Sequence, residues 1–371
     1  MSLETIQTPA LLLDIERVKR NAERMGERVR SLGTRLRPHV KTHKCVEVAR
    51  IQTAGDTGAL TVSTLAEARA FAANGFEDIT YAVPIEPGKF AAAIELAKVC
   101  RLSLITDDAK IPAQLDEAAR TAGVIFDLFL KVDSGYHRCG VQPQSGEALE
   151  IPRAISKASN LRFAGLLTHA GHSYHYHSRD ERLSIARQER DVMTQLAETL
   201  RSSGIEVPTV SIGSTPTITI VDHLKGIDEA RPGNYIFFDA FQAAIGSCAF
   251  DDCALTILAA VVHRDLKRSK LIIDAGAIAL SKDRGAVEFD PTCGYGQVLD
   301  LEGNDLGLRV ERLSQEHGEI VTQNGNIELL TVGTRIRVLA NHSCLSAAQH
   351  SHYHVLENGE VVDRWEIQRG W

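Results

Sequence analysis

Two textures along the chain predict an α/β-plus-β protein: an N-terminal TIM-type (β/α)8 barrel over residues 15–245 and a C-terminal antiparallel β-domain over 246–371, with residues 1–14 expected to pair with the latter. The first observation is alternation. Up to about residue 240, short β-branched runs take turns with amphipathic helical stretches, as in parallel strands joined by crossover helices. The second is the loss of long helical periodicity after Gly246, where short alternating runs separated by turn residues take over. The third is the residues that end the strand candidates: Lys41, Ser63, Asp133, His169 and Ser214. In such a barrel the carboxyl ends of the strands carry the active site.

Taken in order, Asp14 caps a helix whose apolar positions Ile15, Val18, Ala22, Met25, Val29 and Leu32 recur every three or four residues. The strand candidates are Arg35–Lys41, Ala59–Val62, Ile79–Val83, Leu102–Thr106, Phe126–Val132, Ala164–His169, Thr209–Gly213 and the short Ala230–Arg231. Thr64-Leu65-Ala66-Glu67 reads as a capping box, and Gly75 ends the helix it opens. Beyond Gly246 the candidates are Leu255–His263, Lys270–Asp274, Gln297–Leu299, Gly307–Arg312, Arg335–Leu339, Tyr353–Leu356 and Val361–Trp365. Glu357-Asn358-Gly359-Glu360 is a hairpin turn, since Asn-Gly suits the left-handed conformations that tight hairpins require.

With 371 residues, 44% of them hydrophobic and 24% charged, the chain can bury a full core. Its net charge of −7 is spread along the sequence, which argues against a nucleic-acid surface and for a small-molecule substrate. Met1–Pro9 carries Glu4 and precedes only a four-residue apolar run, so a secretory leader is not expected; Ala254–Val262 is too short to span a bilayer. Seven scattered cysteines fit reduced thiols, and a cytoplasmic protein follows.

Chemistry concentrates in several segments. Lys41 sits in Arg37-Pro38-His39-Val40-Lys41-Thr42-His43 among possible cationic neighbours, which lower a lysine pKa and make it a Schiff-base candidate; a solvated basic strand end would look the same. Ser211-Ile212-Gly213-Ser214-Thr215-Pro216-Thr217 is a small, hydroxyl-rich turn after the seventh strand, suited to a phosphate or simply an ordinary βα turn with Pro near the helix start. Leu167 to His177 packs four histidines, among them His169 and His172, and two tyrosines, Tyr174 and Tyr176. Such a loop can stack on a heteroaromatic ring and move protons, or be a polar surface loop or chance metal tract. Arg138 lies in a glycine-flanked turn and can bind a phenolate or carboxylate, or pair with a structural acid. His342 and Cys344 point to the same side if the chain stays extended, a borderline-soft pair that suits Zn²⁺ with open positions; a buried Cys beside a hydrogen-bonded His gives the same tetrapeptide.

An ordered series of motifs resembles one family over nearly the whole chain. It runs from Thr8-Pro9 through Arg37-Pro38-His39-Val40-Lys41-Thr42, Thr168-His169-Ala170-Gly171, Gly213-Ser214-Thr215-Pro216-Thr217 and Arg231-Pro232-Gly233-Asn234-Tyr235. It continues through Asp274-Ala275-Gly276, Ser281-Lys282-Asp283-Arg284-Gly285, Gly294-Tyr295-Gly296-Gln297 and Gln315-Glu316-His317-Gly318 to Asn341-His342-Ser343-Cys344. The series is similar to the fold type III, pyridoxal-phosphate-dependent family of D-serine dehydratase, D-threo-3-hydroxyaspartate dehydratase and D-threonine aldolase, with alanine racemase more distant.

The resemblance implies a barrel that holds pyridoxal phosphate, a β-domain, and a homodimer with its active site near the subunit interface. Lys41 matches the Schiff-base lysine, His169 the residue on the pyridine ring, and Gly213, Ser214 and Thr215 the phosphate cradle. Arg138 matches the position near the phenolic oxygen, Tyr174 loosely the ring nitrogen, and Tyr235 a further cofactor contact. The dehydratases pair His with Cys where the aldolases tend to carry Asp, so His342 and Cys344 imply zinc and elimination. Departing from the pattern, His172, with His175 and His177 nearby, can carry protons in either reaction.

The implied reaction removes the α-proton of a D-3-hydroxy amino acid to Lys41 and the hydroxyl to zinc, giving a 2-oxo acid and ammonia. D-Serine would give pyruvate, and D-threo-3-hydroxyaspartate oxaloacetate. The rivals are a metal-dependent D-threonine or 3-hydroxy-D-aspartate aldolase and, in another class, a non-catalytic protein that buffers pyridoxal phosphate.

Overall fold

The computed structural model describes residues 2–55, 58–321, 327 and 329–371. The chain divides into two compact units, one of Arg24–Lys41, Gln52–Gly233 and Gln368–Trp371, the other of Met1–Glu23, Thr42–Ile51 and Asn234–Ile367. The first strand, β1 (Ala10–Asp14), belongs to the second of these.

The barrel unit contains β2 (Arg35–Leu36), β3 (Leu60–Val62), β4 (Asp78–Pro84), β5 (Arg101–Thr106), β6 (Phe126–Lys131), β7 (Leu161–Leu167), β8 (Thr209–Ile212) and β9 (Glu229–Ala230). Its eight strands run in the order β2-β9-β8-β7-β6-β5-β4-β3, and a parallel bridge from His39 to Thr61 joins the segment after β2 to β3. All eight strand candidates are therefore strands. The expected first strand, Arg35–Lys41, is cut short because Pro38 has no N–H to continue a ladder, and Val40–Thr42 is a 3₁₀ turn. Thr64 caps the helix after β3, accepting from Glu67 N at 3.0 Å, but the Glu67 carboxylate accepts from Ser63 N at 2.8 Å, one residue earlier than an ideal box.

The strands of this unit are buried on both faces, as parallel strands under crossover helices must be; every residue of β6 is buried. At their amino ends the charges pair in a belt. Arg37 Nε meets Glu229 Oε2 at 2.6 Å and its Nη1 meets Asp78 Oδ1 at 2.8 Å, while Arg101 and Arg162 clasp Asp127 at 2.6 and 2.9 Å. Arg37 and Glu229 are both buried.

In the other unit β1 runs antiparallel to β10 (Leu255–Asp265) and parallel to β16 (His352–Glu357), which pairs with β17 (Glu360–Glu366). With β11 (Lys270–Ile273), β12 (Gly296–Leu299), β13 (Asp305–Leu313), β14 (Gly318–Val321) and β15 (Arg335–Ala340), strand β10 closes a six-stranded antiparallel barrel in the order β10-β11-β14-β13-β12-β15. Asn358 (φ +52°) and Gly359 (φ +80°) make the expected hairpin turn. Sequence reading missed β14, which is only four residues long, and the helix Ser343–Gln349. The chain thus does not stay extended past β15. Asp239 accepts from Ser343 N at 3.0 Å and from its Oγ at 3.1 Å, which fixes the first turn. No helix among the described residues is long and apolar enough to cross a membrane.

Candidate functional site

Within the barrel unit, candidate residues gather at the carboxyl ends of β6, β7 and β8. Lys41 lies in the 3₁₀ turn after β2 with an exposed side chain. His169 follows β7 and its Nδ1 lies 3.3 Å from the Gly213 carbonyl, to which a neutral Nδ1–H tautomer donates. Burial, then the charges of Lys41, Lys131 and Arg138, hold this imidazole well below its ordinary pKa. A neutral ring fixed in this way can lie against an aromatic face.

Tyr136 links the neighbouring candidates. Its ring meets His169 edge-on at 6.2 Å and stacks on His172 at 6.2 Å, and the Arg138 guanidinium stands 5.1 Å from its centroid. Among the described residues neither buried ring nitrogen of His172 has a hydrogen-bond partner, and burial lowers its pKa. Such a neutral, unsatisfied imidazole can bind or pass a proton. Tyr174 is half-buried in the turn Gly171–His175, whereas His175 and His177 are exposed.

The turn after β8 has the shape expected of a phosphate cradle. Gly213 adopts φ +114°, and a Cβ there would stand 3.1 Å from Ile218 Cγ1 and 3.2 Å from Arg231 N, so only glycine fits. Ser214 caps the helix Thr215–Ile220: its Oγ accepts from Thr217 N at 3.4 Å and its own N donates to Thr217 Oγ1 at 3.1 Å. Ser173 Oγ lies 3.1 Å from Ser214 Oγ, which adds a hydroxyl from the loop after β7. Thr215 is fully buried at the helix start. The Gly213 N–H points elsewhere, to Glu189 Oε1 at 3.1 Å, so the glycine provides room while the hydroxyls provide donors. Small residues, hydroxyls, a neutral imidazole and the cations Lys41, Lys131 and Arg138 fit a phosphate-bearing heteroaromatic aldehyde.

Three buried charged residues of this unit were not singled out from sequence. Lys131 ends β6, donates to Val132 O at 3.3 Å, and is brought down to about 8 mainly by burial. Arg231 donates to Ser211 Oγ at 2.7 Å and to Thr168 O; burial lowers it to about 10, so it stays cationic. Glu189 occupies an apolar position of the helix Arg179–Ser202, beside Ile185, Ala186 and Met193. That misplaced polarity was the available signal.

In the β-unit, His342 and Cys344 meet at the start of the helix Ser343–Gln349. His342 Nδ1 is 2.6 Å from Asp283 Oδ2, leaving Nε2 for another partner. Burial lowers the imidazole, but Asp283 and Cys344 outweigh it and raise it to about 11; burial likewise raises the Cys344 thiol, yet His342 wins and lowers it. Cys344 Sγ also lies 3.3 Å from Thr42 Oγ1 and 3.6 Å from Asn234 Nδ2. Asp239 holds Asn234 Nδ2 at 2.8 Å and so braces the group. A thiolate, an imidazole and a carboxylate behind that imidazole are the donor set and outer partner that suit Zn²⁺. Among the described residues, no cluster of three or more His, Cys, Asp or Glu is placed to hold a metal. Asp283 and Asp239 were not predicted as part of this group. Tyr235 is fully buried in this unit, in the turn Asn234–Ile236.

Comparison with known proteins agrees with this geometry. The family profile "Alanine racemase, N-terminal domain" matches residues 13–240, and "Putative serine dehydratase domain" matches residues 254–356. D-threo-3-hydroxyaspartate dehydratase of Delftia sp. is 38% identical over 377 residues, covering 100% of this chain and 99% of that protein. The chain belongs to the fold type III, pyridoxal-phosphate-dependent family of these dehydratases and related aldolases. Within that family, D-serine dehydratase of Dictyostelium discoideum is 33% identical, covering 100% and 98%. The solved Delftia enzyme superposes with a TM-score of 0.96 at 38% identity over 100% of both chains. D-threonine aldolase from Filomicrobium marinum reaches 0.87 at 30% identity, covering 99% and 96%. Solved structures of D-threo-3-hydroxyaspartate dehydratase include a histidine-to-alanine variant and, for the cysteine two positions further on, an alanine variant in the metal-free form.

Proposed function

We propose that the chain is a pyridoxal-phosphate- and zinc-dependent ammonia-lyase of D-3-hydroxy amino acids, converting D-serine to pyruvate or D-threo-3-hydroxyaspartate to oxaloacetate, with release of ammonia. The observation that carries this reading is the His342–Cys344 pair backed by Asp283. Its spacing equals that of the two residues replaced in the variants of D-threo-3-hydroxyaspartate dehydratase, one of which is in the metal-free form. Full-length likeness to two dehydratases, against 30% identity to a D-threonine aldolase, points the same way. The match of residues 254–356 to a serine dehydratase domain weighs against a barrel-only, non-catalytic cofactor binder.

Pyridoxal phosphate, when bound, supplies an electron sink for the charge that develops at the substrate Cα. Zinc, when bound to His342 and Cys344, supplies a Lewis acid for the departing hydroxyl. Lys41 would hold the cofactor, and its Nζ would accept the substrate α-proton. His169 orients the ring from one face as a neutral imidazole donating to Gly213 O. By the family resemblance, Arg138 would be the donor to the phenolic oxygen, and Tyr174 and Tyr235 would be further cofactor-binding residues. Ser214 and Thr215 would hold the phosphate in the space that Gly213 leaves. His172, with both nitrogens unsatisfied, relays a proton. The same reading has the enzyme working as a homodimer in the cytoplasm.

Product analysis tests it. Incubation of the zinc-loaded enzyme with D-serine, D-threonine and D-threo-3-hydroxyaspartate should release ammonia and the matching 2-oxo acid, with the L-forms nearly untouched because one base faces one enantiomer. Glycine plus an aldehyde as the dominant products would establish an aldolase instead.

A further inference from the structure

We propose that Glu189 is a positioning residue for cofactor binding: a single neutral carboxyl group that ties the loop after β7 to the turn after β8 and sets the distance between them. The inference rests on the reading above that the turn after β8 holds the phosphate. Glu189 is fully buried. Its Oε1 accepts from Ala170 N at 3.0 Å and from Gly213 N at 3.1 Å, and its Oε2 lies 3.2 Å from Thr217 Oγ1. Ala170 directly follows His169, Gly213 directly precedes Ser214, and Thr217 completes the capping box of Ser214. One side chain from a helix outside the strand ends therefore clamps both the ring-side loop and the phosphate-side turn. It also explains why the Gly213 N–H is turned away from the cradle.

The neutral form follows from what surrounds the group. All of its hydrogen-bond partners are uncharged. The cations that face it, Arg231 and Lys131, direct their donors elsewhere: Arg231 to Ser211 Oγ, Ile212 O and Thr168 O, Lys131 to Val132 O. Thr217 has one hydroxyl proton but three acceptors within reach, Ser214 O and Glu189 Oε2 at 3.2 Å and Ser214 Oγ, which can also donate, at 3.1 Å. A protonated Oε2 resolves that conflict by donating to Thr217 Oγ1, which leaves the threonine proton for Ser214 O. Burial, opposed by the bonds from Gly213 and Ala170, holds the carboxyl above its usual range. A neutral acid in the wall of the cradle also spares a phosphate dianion the repulsion that a carboxylate would bring.

The test uses full-length protein stripped of cofactor and titrated with pyridoxal phosphate, with hydrogen exchange followed by mass spectrometry on the same samples. Glu189→Gln keeps the acceptor, and its amide N–H replaces the acid proton toward Thr217, so its affinity should stay within about threefold of wild type. Glu189→Ala should bind at least about tenfold more weakly. Exchange should quicken in peptides carrying Ala170 and Gly213, while β6 stays unchanged. Wild-type affinity in Glu189→Ala, or unchanged exchange at either loop, overturns the tie; a Glu189→Gln affinity more than tenfold below wild type overturns the neutral form. Should the alanine variant fail to fold, Glu189→Asp, one methylene too short to reach both loops, takes its place with the same expected loss. Wild-type protein that does not bind pyridoxal phosphate overturns the underlying reading alone, since the exchange comparison still decides whether the tie exists.

Discussion

The two ends of the parallel barrel use the same residue types in opposite ways. At the amino ends of the strands, Arg37, Glu229, Asp78, Arg101, Asp127 and Arg162 neutralise one another in pairs of 2.6–2.9 Å. At the carboxyl ends, Lys131, His169 and His172 are each shifted toward the neutral form, chiefly by burial. Paired charge stabilises a fold, whereas groups held toward the neutral form by burial are candidates for acid–base chemistry. The difference supports placing the proposed chemistry at the carboxyl ends, because both ends are rich in ionisable groups.

Perturbing each region should separate activity from stability. The largest effect is expected at the His342–Cys344 pair of the β-unit, where Cys344→Ala, or chelation of the wild type, should cut ammonia release by roughly 10²–10³-fold while the cofactor absorbance persists. Zinc should restore the chelated wild type but not the variant. Full elimination activity in metal-free protein would remove zinc from the mechanism.

At the amino end the effects should fall on stability. Arg37→Met leaves Glu229 buried without its closest cation and should cost about 3–5 kcal/mol in denaturant unfolding. Turnover per folded molecule should not change; a large loss of turnover with intact stability would show that the belt is not merely structural. Asp133, at the other end, has its carboxyl lowered to about 2, because bonds from the backbone N–H groups of His137 and Gly135 outweigh burial. A depressed folded-state pKa gives stability that is present above about pH 4 and lost as pH falls toward 2. Wild-type stability should therefore drop more steeply across that window than that of Asp133→Asn; parallel curves would contradict it. The smallest effect is expected for Arg101→Gln: this exposed partner of Asp127 should matter by under about 1 kcal/mol.

Much of the fold was legible because its signals are periodic. The eight parallel strands follow from β-branched runs between helical ones, and the Asn358-Gly359 hairpin from the φ > 0 that both positions require. Short elements carried too little pattern: β14 has four residues, and the helix after His342 is set by Asp239, more than a hundred residues earlier in the chain. In the site, glycine-rich and histidine-rich segments stood out by composition. The groups that hold them did not. Glu189, Asp239 and Asp283 act through long-range hydrogen bonds, and nothing local distinguishes them from surface acids except, for Glu189, an apolar register on its helix. Of the cations that flank Lys41 in sequence, Arg37 is paired with Glu229 and Asp78.

Lys41 and Lys131 offer the most direct test of the account. One is exposed in the turn after β2; the other is buried at the end of β6, with a pKa brought down to about 8. A depressed pKa taken alone would choose Lys131 as the amine that binds an aldehyde. Borohydride reduction of the cofactor-loaded enzyme, followed by peptide mapping, decides between them. The pyridoxyl adduct is expected on Lys41, with Lys41→Ala losing both adduct and ammonia release; recovery of the adduct on Lys131 would contradict the assignment and move the reaction centre to β6.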